Sequence, residues 1–197
     1  MVFLIAIAGG SGSGKSTLAY GLKDKYPDLI EVVHFDDYQK PRGEAPVYYG
    51  LDNWDHPEAI DFLKLLRDLN SLKEGKEVTI MTKSERYNPK YREVGRISLV
   101  LKPREIIILE GYMSLVNEKI RAMLDYSIFL DLHEDERLKR RTKLNKPGYI
   151  QKILVPMHKE HVEPTKKFAD FVIDVTQHSI SEARSLVLSK FKEKGFL

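Results

Sequence analysis

The residues best suited to chemistry form a Gly-rich stretch near the start of the chain. Residues 9–17 read GGSGSGKST and match the spacing G-x-x-x-x-G-K-[ST]. Glycines let the backbone curl so that N–H groups face phosphate oxygens, the lysine adds a positive charge, and the hydroxyl can ligate Mg²⁺. We predict a phosphate cradle made of Gly9, Gly10, Ser11, Gly12, Ser13, Gly14, Lys15, Ser16 and Thr17.

A flexible Gly/Ser linker is the alternative for this stretch. Linkers are not bracketed by regular structure, whereas residues 2–8 have the composition of a buried strand and residues 18–26 follow as a helix. The flanking segments therefore favour the cradle, and with it a site for a nucleoside triphosphate and its metal ion.

The remaining sequence narrows the kind of protein that holds this cradle. A GTPase needs N-K-x-D and D-x-x-G motifs, but residues 145–148 read NKPG and no D-x-x-G occurs. ATP-driven motors carry more machinery than 197 residues hold. A small-molecule kinase needs only a metal ligand, a group that orients the acceptor hydroxyl, cations near the transferred phosphoryl group and a cover against water.

Carboxylates follow two of the apolar runs. Asp36 and Asp37 end one run and Glu110 ends another, at the sheet edge where ligands bind in open α/β folds. Asp36 can accept the proton of an attacking hydroxyl, and Glu110 with Ser16 can hold Mg²⁺. The alternatives are an Asx turn at the first pair and an exposed strand-end acid at Glu110.

Basic residues cluster between positions 137 and 146. We interpret them as the start of a lid over residues 137–155, from which one or two cations reach the transferred phosphoryl group. The alternatives are a solvated helix face and a nucleic-acid patch, and the scarcity of interleaved aromatics disfavours the patch. The cluster consists of Arg137, Lys139, Arg140, Arg141, Lys143 and Lys146.

Length and composition limit the classes of protein to which this chain can belong. The length of 197 residues fits one domain, 1–197, and 42% hydrophobic with 31% charged residues is usual for a globular protein. No apolar run approaches the roughly 20 residues of a membrane span, and we expect a cytoplasmic protein with neither a membrane nor a nucleic-acid partner. The absence of cysteine excludes disulfides and thiolate chemistry, and His158 with His161 fits a surface helix better than a metal site.

Strands and helices must place these residues. Five β-branched apolar runs alternate with helical segments, which predicts a doubly wound α/β fold with a parallel sheet. Residues 76–101 predict a β-hairpin over the sheet edge. Pro57 marks a helix start. The runs are residues 2–8, 30–35, 106–109, 126–130 and 171–175, and the apolar helix faces are Ala59, Phe62, Leu63, Leu66, Leu69 and Ala183, Leu186, Val187, Phe191.

With these residues in place, the chain resembles the uridine kinase family of P-loop nucleoside kinases over nearly its full length. The shared stretches occur in the same order as in that family. They are GGSGSGKST, FDDY, NWDHPEAID, EGKEV, ILEG, FLDLHEDERLKRR and VEPTKKFADFVID.

The resemblance implies a fold, a reaction and roles for individual residues. It implies a P-loop NTPase fold with the strand order 2-3-1-4-5, and an ATP- and Mg²⁺-dependent kinase for the 5′-hydroxyl of a nucleoside. Asp36 corresponds to the base, Asp55 to a ribose ligand and Trp54 to an aromatic at the nucleoside. Arg141 matches a lid arginine near the phosphates. Lys15 and Glu110 match the phosphate lysine and the Mg²⁺-linked acid, and Tyr38 and Glu85 complete the expected substrate contacts.

The chain departs from the family where the base is read. The stretch MTKSERYNPK places Lys83, Glu85 and Asn88 at those positions, and a site built to hydrogen-bond one base rejects others. Residues 147–157 instead resemble the lid of nicotinamide riboside kinases. Our hypothesis is a uridine/cytidine kinase-like enzyme. The alternatives are a kinase of another ribosyl or small-molecule hydroxyl, such as nicotinamide riboside, and a nucleotide-binding regulatory protein without kinase activity.

Overall fold

A five-stranded parallel sheet forms the centre of the fold in a computed structural model that describes residues 2–141 and 147–197. The strands of the described residues are β1 (Phe3–Gly9), β2 (Ile30–His34), β3 (Val47–Tyr48), β4 (Leu51–Asp52), β5 (Val78–Thr82), β6 (Ile97–Leu101), β7 (Ile106–Glu110), β8 (Tyr126–Asp131) and β9 (Phe171–Asp174). The central sheet has the order β2-β7-β1-β8-β9. Numbered among themselves, these five strands give 2-3-1-4-5, so the predicted fold class and strand order are confirmed.

The sheet is covered on both faces. Successive residues of β1 alternate between two hydrophobic clusters, with Leu4 on one face and Ile5 on the other. All five residues of β7 are buried, and burying an Ile or Leu side chain stabilises the fold by about 1.5–3 kcal/mol. This double burial explains why the strands are continuous apolar runs rather than alternating ones.

The helices pack against these two faces. They are α1 (Lys15–Lys25), α2 (Phe62–Lys73), α3 (Tyr91–Val94), α4 (Glu118–Met123), α5 (Glu134–Arg141), α6 (Pro147–Tyr149), α7 (Val155–Met157) and α8 (Ile180–Glu193). Helices α1 and α8 cover one face and α2 the other. At the start of α8, Ser179 and Glu182 form a capping box. No helix within the described ranges is long and apolar enough to cross a membrane.

The start of α2 differs from the sequence prediction. Pro57 begins a short 3₁₀ turn, and α2 begins only at Phe62, because Ile60 forms a β-bridge with Gln39. The side chain of Asp61 caps α2 by accepting from the backbone N–H of Lys64 at 2.9 Å. The predicted apolar face is also shifted: Ala59 lies in the turn and Leu63 is 80% exposed. The buried face is Leu65, Leu69 and Leu72.

The hairpin expected within residues 76–101 is present. Strands β5 and β6 pair antiparallel, and residues 83–96 between them form a long loop that contains α3. The backbone N–H of Lys83 donates to Asp37 Oδ1 at 2.7 Å, and that of Lys102 donates to Glu31 Oε2 at 3.3 Å. The first contact holds the hairpin loop beyond the end of β2, and the second ties the residue after β6 to the start of β2.

The predicted lid is a set of short helical pieces. Helix α5 ends at Arg141, and helical turns follow from Pro147 to Phe168, including π turns at Ile150–Leu154 and His158–Val162. Lys143 and Lys146, two members of the predicted basic cluster, lie outside the described residues. His158 is buried and bonds to Glu163 at 3.1 Å, so the expected surface helix is wrong at this position.

Gly111 allows a close approach that the fold requires. A Cβ atom there would lie 2.1 Å from Phe35 Cβ, inside the core. We expect Gly111→Ala to lower the free energy of unfolding by about 1–3 kcal/mol, measured by urea denaturation. Gly148→Ala is the control, because nothing lies within 4 Å of a Cβ there. Equal unfolding free energies for the two variants would contradict this packing.

Candidate functional site

The phosphate cradle, residues 9–17, lies between the end of β1 and the start of α1. Gly9 has φ +137° and its Cβ would lie 2.4 Å from the carbonyl oxygen of Leu130, so only glycine fits. Gly12 has φ +92°, and a Cβ atom there would lie 2.9 Å from the carbonyl oxygen of Arg137. Helix α1 begins at Lys15, which places its N-terminal N–H groups in the loop. The backbone of residues 9–14 therefore curls tightly before α1, as the sequence predicts, and glycine is required at Gly9 for this path.

Lys15 lies over the loop that precedes it. The side chain is buried, and Nζ donates to the carbonyl oxygen of Gly10 at 3.0 Å. Burial lowers the pKa of Lys15 below its ordinary value, and the charges of Glu110 and Asp36 partly oppose this shift. The ammonium group is thus held at the cradle in a desolvated position, where its charge acts strongly on an anion.

Ser16 and Glu110 form the expected pair of oxygen donors. Ser16 Oγ donates to Glu110 Oε1 at 3.0 Å, and the carboxylate is 1% exposed. His34 Nδ1 contacts the same oxygen. Burial disfavours the charged imidazole, but the hydrogen bond and charge of Glu110 outweigh this effect and raise the pKa of His34 to about 9.

This pair fits Mg²⁺. A hydroxyl and a carboxylate are hard oxygen ligands, and Mg²⁺ in phosphate sites typically takes only one or two ligands from the protein. Within residues 2–141 and 147–197 there is no cluster of three or more His, Asp or Glu that could form a metal cage. Two protein oxygens would therefore suit a Mg²⁺ ion whose other ligands came from phosphate and water.

Two cavities meet at this edge of the sheet. The first, here called the cradle cavity, has a volume of about 360 Å³ and contains the cradle, His34 and Glu110. The second, the Asp55 cavity, has about 570 Å³ and contains Trp54, Asp55 and Tyr149. Four residues line both: Ser11, Asp36, Tyr112 and Arg141. Asp36 and Arg141 therefore stand where a group in one cavity would meet a group in the other.

Asp36 is ionised at neutral pH. Burial alone would raise its pKa, but the positive charges of His34 and Lys83, followed by those of Lys15 and Arg141, lower the pKa below the usual value. Arg141 Nε is itself buried without a hydrogen-bond partner among the described residues. The junction of the two cavities thus combines the Asp36 carboxylate with the Arg141 guanidinium, whose Nε has no hydrogen-bond partner among the described residues.

Tyr149 of the lid binds the wall of the Asp55 cavity. Its hydroxyl donates to Asp55 Oδ2 at 2.7 Å and accepts from the backbone N–H of Trp54 at 3.1 Å. Tyr112 donates to the carbonyl oxygen of Trp54 at 2.6 Å. Burial raises the pKa of Asp55, while the Tyr149 hydrogen bond opposes that shift. Two tyrosines therefore fix the Trp54–Asp55 segment.

Some predicted substrate residues lie elsewhere. Tyr38 is 2% exposed and packs in the core beside Lys64, because the 3₁₀ turn Phe35–Tyr38 directs it away from both cavities. Glu85 lines a different cavity of about 710 Å³ beside α1. Asn88 is buried and bonds to the carbonyl oxygen of Gly95 at 2.7 Å. The Asp55 cavity thus contains Asp36, Trp54, Asp55 and Arg141. Glu85 shares only Asp36 with this group, in the cavity of about 710 Å³, and Tyr38 lines neither cavity.

The basic cluster divides into separate environments. Arg137 is 3% exposed and packs directly against the cradle, since a Cβ on Gly10 would lie 2.6 Å from its guanidinium. Arg140 donates to the carbonyl oxygen of Gly12 at 3.2 Å. Lys139 pairs with Glu136 at the surface. Of the described members, Arg140 and Arg141 line the cradle cavity.

The sequence interpretation missed three residues of this site. His34 contacts Glu110, Tyr112 joins the two cavities, and Tyr149 reaches Asp55 across 94 positions of the chain. His34 and Tyr112 lie two residues from Asp36 and Glu110, so their position at the strand ends could have drawn attention to them. Nothing in the sequence pattern signals the Tyr149 contact, because it depends on how the lid docks.

The parallel sheet, the cradle and the acidic strand end define a P-loop nucleotide-binding protein. The Phosphoribulokinase / Uridine kinase family matches residues 4–180 of the chain. A uridine kinase of Brevibacillus brevis is 33% identical over 183 residues, which cover 86% of this chain and 83% of the relative. One from Clostridium botulinum is 34% identical over 195 residues, covering 89% of each.

Solved structures share the fold. A possible uridine kinase from Bacillus stearothermophilus has a TM-score of 0.63 at 21% identity, covering 88% of this chain and 89% of its own. A shikimate kinase from Acinetobacter baumannii has a TM-score of 0.55 at 13% identity, covering 98% and 94%. The chain belongs to the phosphoribulokinase/uridine kinase family, as its sequence suggested, and is accordingly a kinase that transfers a phosphoryl group to an alcohol.

The Tyr149 contact can be tested through Trp54, the single tryptophan of the chain. A hydrogen bond to a charged group contributes about 1.5–3 kcal/mol, so Tyr149→Phe should raise the undocked fraction of the lid about tenfold or more. We expect stronger acrylamide quenching of Trp54 fluorescence. Tyr26→Phe, at the end of α1, should leave quenching unchanged, and the same result for Tyr149→Phe would exclude the contact.

Proposed function

We propose that this chain transfers the γ-phosphoryl group of ATP to the 5′-hydroxyl of a nucleoside or nucleoside-like small molecule, with Mg²⁺ as the metal. The observation that carries the proposal is the position of Asp36 and Arg141, which line both the cradle cavity and the Asp55 cavity. A phosphoryl donor in one cavity and a hydroxyl in the other would meet at these two residues.

The donor side follows from the cradle. Backbone N–H groups and the N-terminus of α1 would bind the triphosphate, and Lys15 would add its charge. Ser16 and Glu110 would hold Mg²⁺, which neutralises charge on the phosphates when it is bound. Arg141 and Arg140 line the same cavity and would stabilise the charge that develops on the phosphoryl oxygens.

The acceptor side rests on two carboxylates. Asp36 is held in its ionised form, as a proton acceptor must be. As the acceptor oxygen forms its bond to the γ-phosphorus, the bond from that phosphorus to the β–γ bridging oxygen breaks. The hydroxyl proton goes to Asp36 and ADP leaves. Asp55 would accept hydrogen bonds from the other hydroxyls of the acceptor, and Trp54 would contact its ring.

A nucleoside-like acceptor is supported by the relatives and by the shape of the Asp55 cavity. The relatives in Brevibacillus brevis and Clostridium botulinum are uridine kinases. Trp54, Tyr112, Tyr149, Ile150 and Leu154 give the cavity apolar and aromatic walls around Asp55, which suits a flat ring joined to a polyol. Lys83 also lines this cavity, so the ring need not be uracil, and nicotinamide riboside is a second acceptor to examine.

Asp36→Asn tests the proposed proton acceptor separately from ATP binding. The amide keeps the shape of the side chain but cannot accept the proton, so we expect kcat to fall by at least about 10²-fold. ATP affinity should be kept, because Asp36 is not part of the cradle. Turnover is measured as ADP released over time, and ATP affinity is measured by calorimetry. Wild-type turnover in this variant would rule out Asp36 as the proton acceptor.

Lys15→Ala tests the donor side. Removing the ammonium group leaves phosphate charge uncompensated in a desolvated position, so we expect ATP affinity to fall about tenfold or more. Lys25→Ala, at the surface end of the same helix, is the matched control and should bind ATP like the wild type. If the two variants bind ATP equally well, the cradle does not hold the triphosphate through Lys15.

One experiment decides the proposed function. ADP release is measured with ATP or GTP as donor against uridine, cytidine, nicotinamide riboside, pantothenate and sugars, with and without Mg²⁺. We expect Mg²⁺-dependent ADP release with at least one ribosyl acceptor and its loss in Asp36→Asn. Silence across the panel would instead favour a nucleotide-binding regulatory protein.

A further inference from the structure

A strongly cationic cavity adjoins the Asp55 cavity. It has a volume of about 940 Å³ and shares Gln39, Trp54, Lys83 and Tyr149 with its neighbour. Its charged lining consists of four cations and one carboxylate, namely Lys40, Arg42, Lys83, Arg96 and Asp52. The excess of positive charge is local, since the whole chain carries a net charge of only +3.

These cations are not used in ion pairs. Among the described residues, no carboxylate oxygen lies within 4.0 Å of the charged nitrogens of Lys40, Arg42, Lys83 or Arg96. Elsewhere in the chain pairing is common, as in Lys73 with Asp125 at 3.0 Å. The cationic cavity therefore has positive potential that the protein itself leaves unbalanced.

Two of the cations are held in place. Arg96 donates to the carbonyl oxygens of Asp37 at 2.6 Å and Gln39 at 2.8 Å, which leaves further N–H donors on its guanidinium. Lys83 donates to Gln39 Oε1, and burial lowers its pKa against the opposing charge of Asp36. Fixed, partly desolvated cations bind anions better than mobile surface ones because less freedom is lost.

Balancing the negative charge of Asp36 does not explain all four cations of this cavity. Lys83 does interact with Asp36, and it lines both cavities. Lys40 and Arg42, in contrast, line the cationic cavity but neither the Asp55 cavity nor the cradle cavity. Their charges therefore add to the positive potential of the cationic cavity.

We propose that the acceptor of this kinase carries a negatively charged group, a carboxylate or a phosphate, which binds in the cationic cavity. The inference rests on the proposed function, since it assigns one end of the acceptor to Asp36 and the other to Lys83, Arg42 and Lys40. The acceptor then spans both cavities past Trp54, with its hydroxyl at the junction with the cradle cavity. Charge on the acceptor, rather than base edges, is what these residues recognise.

Matched pairs of acceptors test the inference. Each pair differs in one anionic group: orotidine and uridine, nicotinic acid riboside and nicotinamide riboside, pantothenate and pantothenyl alcohol, uridine 3′-phosphate and uridine. Calorimetric titration onto the wild-type protein measures binding, and ADP release measures turnover. We expect at least one anionic member to bind about tenfold or more tightly than its neutral partner. The first three pairs report on a carboxylate and the last on a phosphate.

Variants assign the effect to the cavity. Arg42→Gln and Lys83→Met should each reduce the anionic preference severalfold, mainly through weaker binding of the anionic member. Lys119→Gln removes an exposed cation on α4, far from the site, and should leave both members unaffected. A preference that survives unchanged in Arg42→Gln and Lys83→Met would overturn the assignment.

The outcomes separate this inference from the proposed function. Asp36-dependent turnover of neutral acceptors with no preference for any anionic member would overturn the inference and leave the kinase proposal standing. Anion binding in the cavity without ADP release from any acceptor would overturn both, because the bound anion would then not be an acceptor. Tighter binding and Asp36-dependent turnover of the same anionic compound would support both.

Discussion

The parallel pairing of β1, β2 and β7 is the constraint on which the rest of the structure depends. Their register sets His34 opposite Glu110 and Glu110 opposite Ile7, so β2 and β7 end at one level and β1 continues only to Gly9. The cradle, Glu110 and the turn that carries Asp36 lie at these ends of the strands. A slip of one residue would turn Glu110 toward the other face of the sheet and dismantle the site without changing its composition.

Charge balance is the second constraint. The edge of the sheet gathers carboxylates at Asp36, Asp37, Asp55 and Glu110 in partly buried positions, where isolated anions would be costly. The surrounding cations keep Asp36 ionised, while Asp37 and Asp55, which burial dominates, have raised pKa values. The pKa is thus lowered at one carboxylate and raised at two of its neighbours, and such differences are how nearby acids acquire different roles.

Features that depend on hydrophobic periodicity or motif spacing could be predicted from the sequence. Features that depend on how distant segments pack against each other could not. The five strands and the glycine-rich loop could be predicted because each depends on local patterns, whereas the strand order was implied by the resemblance to the uridine kinase family. The start of α2 could not, because the bridge between Ile60 and Gln39 overrides the helical signal of Pro57. Tyr38 was misplaced because a 3₁₀ turn rotates successive side chains differently from a strand. The contact between Tyr149 and Asp55 and the meeting of the cavities arise only from tertiary packing.

The Tyr149 hydroxyl has a consequence for any molecule that approaches Asp55. It places a phenol 2.7 Å from Asp55 Oδ2, attached to the same chain, so it competes at the high effective concentration of an intramolecular partner. A molecule that binds Asp55 must therefore either displace the Tyr149 hydroxyl or share the carboxylate with it. Binding at Asp55 and the docking of the Tyr149 turn are thereby coupled through one carboxylate.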